Sequence, residues 1–164
     1  LDQIHAEAQP CLHLVPGGEG RTRLGGEADV SGDWPRFRDR PMACLARIDL
    51  EAVRGAGGPD WLPPEGRLHV FLDMGDRAQD FEPEQPGACV VRLETGPAGP
   101  IAPPDDLRPR SRIAAFPLMP SPRTSYADER IVFDWKSLTK AETLTLEAAV
   151  LEMLSPEPAH QIGG

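Results

Sequence analysis

The chain has 164 residues and a formal net charge of −9 at pH 7, with 17 Lys and Arg against 26 Asp and Glu. No basic cluster reaches five residues, so the face that phosphate backbones demand is missing and no nucleic-acid partner is expected. No apolar run approaches the ~18–20 residues of a membrane span, so no membrane partner is expected. The amino end lacks the basic start and apolar centre of a secretion signal. Cys11, Cys44 and Cys89 are far apart, without a CxxC, and sit among apolar neighbours; they read as free thiols packed in the core of a cytoplasmic protein.

Short apolar runs then alternate with Pro and Gly punctuation. Cys11 to Val15 predicts a first strand, closed by Pro16-Gly17-Gly18. Residues 23–36 read as loop, with Gly25-Gly26 permitting positive φ or close backbone approach and Trp34-Pro35 beside a rigid turn. Met42 to Leu50 predicts a second strand, with Met42, Cys44, Ala46, Ile48 and Leu50 inward and Arg47 and Asp49 outward. A short helical turn over residues 49–53 should stop at Gly55, Gly57 and Gly58. Trp61-Leu62-Pro63-Pro64 is a turn whose indole, like that of Trp34, is expected to pin its loop to the sheet edge. Arg67 to Met74 predicts a third strand with Leu68, Val70, Leu72 and Met74 inward, and His69, Phe71 and Asp73 on the other face. Ala88 to Glu94 predicts a fourth, with Cys89, Val91 and Leu93 on one side.

Residues 96–123 hold 8 prolines in 28 positions and read as a Pro-rich connection. Within it, residues 112–116 could pair as an edge strand, with Pro117 marking the end of pairing. Thr139 to Glu142 has the form of a capping box, and Leu146, Val150, Met153 and Leu154 form an apolar stripe, so a capped helix is expected over 139–154, stopped by Pro156 and Pro158. The expected fold is α+β: one domain over 1–164, a mixed, mainly antiparallel sheet, long Pro/Gly-rich loops and this helix. Its expected core includes Leu14, Ile48, Leu68, Val70, Leu72, Val91, Val150 and Leu154.

Catalytic signatures are missing from the sequence: it has no GxSxG, GxxxxGK[ST], HExxH, CxxC or GxGxxG. No cofactor and no metal are expected. His69 and Asp73, four residues apart on one strand, would stand ~13 Å apart and could not share an ion. The polar residues that invite a site are Arg23, Arg36 and Arg47 with Asp49 or Asp73. Converging in a cleft, Arg23, Arg36, Arg47 and Asp73 would bind an anion or small ligand; apart, they are a structural ion-pair set.

In order, residues 11–16, Arg23-Leu24-Gly25-Gly26, Asp33-Trp34-Pro35-Arg36, residues 41–50, Trp61-Leu62-Pro63 and residues 66–73 resemble the bacterial YwqG-like family, the domain of unknown function 1963. His160-Gln161-Ile162-Gly163-Gly164 is similar to that family's second glycine-pair motif and echoes residues 22–26. Arg47 stands where the family usually has Gln. Family members continue past the second glycine pair, so Gly164 is expected to lie short of the natural end, with Ile162 buried by further strands. The resemblance implies an α+β bacterial intracellular protein and an interaction role, related to toxin immunity; it supplies no catalytic residues. The function expected is therefore a non-enzymatic protein-interaction module with an unknown protein partner, able to self-associate through exposed sheet edges. The rival is an enzyme or ligand binder built on the Arg/Asp cleft.

Overall fold

The computed structural model describes residues 8–75, 87–125, 138–153 and 160–162. It divides into two compact units, residues 15–120 and a smaller one made of residues 1–14 with 121–164. In chain order the elements are β1 (Gln9–Pro16), β2 (Thr22–Leu24), β3 (Arg36–Phe37), β4 (Arg40–Pro41), β5 (Ala43–Asp49), α1 (Leu50–Gly55), β6 (Arg67–Leu72), β7 (Cys89–Glu94), β8 (Phe116–Ser125), α2 (Lys140–Met153) and β9 (His160–Ile162). The fold is α+β, and every strand pair whose register is defined is antiparallel.

In the larger unit the strand order is β7-β6-β5-β2-β8, with the β3–β4 hairpin forming a separate small sheet. Asp49 ends β5 and caps α1 by accepting the Ala52 N–H at 2.9 Å, which is why the strand passes directly into a helix. The Gly57 and Gly58 N–H groups then bond back to Arg54 and Val53, ending α1 where the glycines stand. In the smaller unit β9 pairs with β1, Leu12 opposite Ile162. There α2 begins as the capping box requires. The Thr139 N–H donates to Glu142 Oε2 at 2.8 Å, and the Glu142 N–H donates to Thr139 Oγ1 at 3.3 Å. Leu146 is buried; the rest of the stripe, Val150, Met153 and Leu154, and the Gly163–Gly164 pair lie outside what the structure describes of side chains or backbone.

The central sheet turns the opposite face inward from the one its alternation suggests. On β6 the buried side chains are His69 and Phe71, followed by Asp73, while Leu68, Val70 and Leu72 are only half-buried. Val91, expected in the core, is 60% exposed and Leu93 45%. On β5 a bulge between Cys44 and Ala46 splits the expected stripe: Cys44 lies opposite Phe71 on the covered face, whereas Ala46 and Ile48 lie opposite Val70 and Leu68 on the other. The covering layer explains the inversion. Ala28, Val30, Trp34 and Met42 pack onto Cys44 and Phe71 as one core, joined by Phe37, Val90 and Ile101. Trp34 meets Phe71 edge to face at 5.4 Å and donates its Nε1–H to the Met42 carbonyl at 2.8 Å.

Three further expectations change. Trp61 is 73% exposed rather than packed onto the sheet edge among the described residues, and Cys89 is exposed while Cys11 and Cys44 are buried. Pro117 does not end pairing: β8 starts at Phe116 and runs through it, because proline removes only a donor, and the Pro117 carbonyl still accepts the Gly17 N–H at 3.1 Å. Within the Pro-rich connection, Ile101 and Ala28 exchange a pair of backbone hydrogen bonds, which lays this stretch beside the covering loop.

Candidate functional site

Three neighbouring strands carry polar, mostly charged side chains at alternate positions: Arg47 and Asp49 on β5, Arg67 and His69 on β6, Arg92 and Glu94 on β7. Register places them on one face, Arg47 opposite His69, Asp49 opposite Arg67, His69 opposite Arg92 and Arg67 opposite Glu94, with Arg23 of β2 beside Arg47. This polar ladder sits on the covered face, next to the Trp34 core.

The ladder grips the loop that runs over it. Asp29 Oδ2 lies 2.7 Å from Arg47 Nε, and the Asp29 N–H donates to His69 Nε2 at 3.2 Å. Arg23 donates to the carbonyls of Gly20 and Glu27, Arg92 to those of Ser31 and Asp33, and Ser31 Oγ donates to Glu94 Oε2 at 2.9 Å. Each partner lies in residues 20–33, so the side chains read as outward anchor an irregular segment whose backbone would otherwise be unsatisfied under burial.

His69 is the most enclosed member, 0% exposed. Because Nε2 accepts, the neutral ring carries its proton on Nδ1, and Nδ1 has no hydrogen-bond partner among the described residues. Burial is the main cause that pushes its pKa down to about 4; the Asp29 carboxylate opposes this and Arg47, Arg23 and Arg67 reinforce it. Burial also lowers the pKa of Arg47 against the pull of Asp29. The Cys44 thiol, in the same core, is pushed up to about 11 by desolvation.

Where the ladder emerges at the end of the sheet, a cleft of about 370 Å³ is lined by Arg21, Arg47, Asp49, Glu51, Glu65, Arg67 and Glu94, among others. Arg21 bridges Asp49 at 3.0 Å and Glu51 at 2.8 Å. Arg67 Nε is buried there with no hydrogen-bond partner among the described residues.

The residues singled out in the sequence fall into two groups. Arg23 and Arg47 are cross-strand neighbours in the ladder. Arg36 and Asp73 are elsewhere: Asp73 lines a second, smaller cleft of about 110 Å³ with Asp39, Arg40, Asp106 and Arg108 among others, and Arg36 is tied to it through Asp106. There Arg36 holds Asp106 through both guanidinium nitrogens, at 2.9 and 3.0 Å, which pulls the Asp106 carboxyl below its usual range, and Arg40 holds Asp73 at 2.7 Å. Neither cleft gathers all four residues. Gly25 and Gly26 link the ladder to the sheet: Gly25 N–H donates to Leu45 O, the carbonyl at the β5 bulge, and Gly26 N–H donates to Ile113 O, both at 2.9 Å. Pro35 is buried and its carbonyl accepts the Met42 N–H.

Asp29, Arg21, Arg67, Arg92 and Glu94 did not stand out in the sequence. For Arg67, Arg92 and Glu94 the signal is the alternation of polar residues along each strand, which only register turns into one surface; Asp29 and Arg21, outside these strands, carry no such signal. Among the described residues no group of three His, Cys, Asp or Glu side chains could hold a metal ion, and no helix is long and apolar enough to cross a membrane. No protein-family model matches the chain, and no curated protein matches it in sequence.

Proposed function

We propose that this chain is a non-enzymatic protein-interaction module, a YwqG-like protein, that works through the open face of its central sheet. The observation that carries the reading is an apolar surface opposite the ladder. Leu24, Ala46, Ile48, Leu68, Val70, Val91, Leu93 and Phe116 share that face by register; Ala46 is buried at its middle, whereas Val91 and Leu93 at the β7 end and Phe116 on β8 are 60%, 45% and 49% exposed. Soluble surfaces rarely keep such side chains contiguous without a partner to cover them. The polar residues that would serve a catalytic or anion-binding reading are engaged instead in ion pairs and backbone contacts, Arg23, Arg36, Arg47 and Asp73 included.

The test compares the wild-type chain with a Leu93→Asp/Phe116→Asp variant as baits in the host extract. Both should give the same far-UV circular dichroism, since the two side chains are half-exposed. A partner retained by the wild type and lost by the variant is the expected result. Equal recovery on both baits, or none on either, overturns the reading. The second reading, a small polar ligand in the 370 Å³ cleft, draws on the unpartnered Arg67 Nε; calorimetric titration with small carboxylates and phosphates checks it, and Arg67→Lys should weaken any binding found.

A further inference from the structure

In the strand order of the larger unit, β7 stands at the end. Its inner side is fully paired with β6, from Cys89 opposite Leu72 to Glu94 opposite Arg67. The Asp73 N–H donates to the Ala88 carbonyl at 2.8 Å, so the even-numbered residues of β7 direct their backbone groups to β6. By alternation, the N–H and C=O groups of Cys89, Val91 and Leu93 point out of the sheet. No hydrogen bond to those outward groups exists among the described residues. Cys89–Glu94 contains no Pro, no Lys and no bulge against β6, and its two charges, Arg92 and Glu94, are tied to Ser31 and Asp33 on the covered face, away from the apolar row at 89, 91 and 93.

The side chains match the backbone. The three residues with outward-directed backbone groups are also those whose side chains lie on the open apolar face: Cys89 and Val91 and Leu93 are all exposed. The pattern apolar-apolar-apolar at 89, 91 and 93 is symmetric about Val91. A strand that meets itself antiparallel about a two-fold axis at Val91 sets Val91 against its own copy and Cys89 against Leu93, in hydrogen-bonded pairs. Arg92 then falls opposite Val90, not opposite another Arg92, and Glu94 falls opposite Ala88, so no like charges face each other across the seam. An axis perpendicular to the sheet makes the open apolar face continuous through both copies, as an isologous contact requires.

We propose that β7 is a self-pairing edge, and that two copies of this chain join their central sheets antiparallel through Cys89–Glu94, centred on Val91. The proposal rests on the reading of the open face as an interaction surface and names a second copy as its occupant. A six-residue seam with three apolar pairs is below the ~1,200 Å² of standard interfaces, so the dimer forms at micromolar concentration and exchanges readily.

Sedimentation velocity on the whole chain across about 5–500 μM spans that range. The expected result is a concentration-dependent shift from one chain mass to two, and a shift of at least tenfold to higher concentration in Val91→Lys, whose new charge meets itself across the axis. Register is read separately. Cys89 of one copy faces position 93 of the other at ~5.5 Å between Cα atoms, within the span a disulfide tolerates. Leu93→Cys should therefore give a covalent dimer on mild oxidation, and Leu93→Cys/Cys89→Ser should not. A monomer at every concentration overturns the proposal, as does a dimer that Val91→Lys leaves intact or a Leu93→Cys chain that does not cross-link. A monomer that still loses its host partner in the Leu93→Asp/Phe116→Asp variant removes the second copy and leaves the interaction module standing.

Discussion

His69 ties three features of the molecule together: it is fully buried, it holds the backbone of Asp29, and it is surrounded by Arg23, Arg47 and Arg67. Protonation would bury an imidazolium away from water, set it near three guanidinium groups against the pull of the Asp29 carboxylate, and take away the lone pair that accepts the Asp29 N–H. With a folded pKa of about 4 against 6.5 for the free group, the unfolded chain binds the extra proton first as pH falls. Stability from this residue is therefore complete above about pH 6.5 and is lost progressively between there and pH 4, up to ~3 kcal/mol in all. Urea titrations at pH 7 and pH 5 should show the midpoint fall, and His69→Gln should flatten the difference; an unchanged pH slope in the variant would show that other groups set it. Thiol reactivity reports the same burial. Cys44, with its thiol pushed up to about 11, and buried Cys11 should resist a disulfide reagent at pH 8, while exposed Cys89 reacts at once. Gly25 is a steric counterpart: at φ +60° a Cβ would stand 2.4 Å from the Ile113 carbonyl oxygen, so Gly25→Ala should cost roughly 2 kcal/mol or more in denaturant unfolding.

At the scale of elements, α2 gives the cleanest local test. Thr139 and Glu142 satisfy each other's backbone donors, so Thr139→Ala should cost ~1 kcal/mol of helix stability and lower the ellipticity at 222 nm. That helix start was readable because capping is settled within four residues. The central strands were readable for the same reason: β5, β6 and β7 each alternate over six or seven positions between glycine and proline breaks. Their inward face was not. Leu68, Val70 and Leu72 outrank His69, Phe71 and Asp73 in hydrophobicity, and a lone strand offers no reason to bury the second set. The reason lies at long range, in a loop that brings Trp34 to Phe71 and Asp29 to His69, 40 residues apart. Inside that loop the backbone needs polar partners, and the ladder supplies them. The bulge in β5 is likewise invisible in the sequence, because Leu45 is an ordinary strand residue whose carbonyl is drawn off by Gly25. The candidate site was half legible: Arg23 and Arg47 do meet, whereas Arg36 and Asp73 find partners, Asp106 and Arg40, that are distant in sequence and unmarked in it.

For the molecule as a whole, charge and the open face act against each other. Each copy carries −9, so two copies brought together through β7 repel over the full extent of both chains. The seam itself is apolar and places no like charges opposite one another, so salt should screen the repulsion without weakening what holds the strands. The Debye length falls from about 14 Å at 50 mM to about 4 Å at 500 mM ionic strength. Between those conditions, at a constant pH of 7.5 where His69 stays neutral, the dimer dissociation constant should fall several-fold. The control is Val91→Lys, which puts a positive charge on each side of the axis: salt should then ease its local repulsion as well, but the variant should stay weaker than the wild type at every ionic strength, because the lost apolar pair does not return with screening. Salt that instead loosens the wild-type dimer would mean that ion pairs, and not the Cys89, Val91 and Leu93 row, hold the two sheets together. Sedimentation equilibrium at the two ionic strengths separates these outcomes by the sign of the change alone.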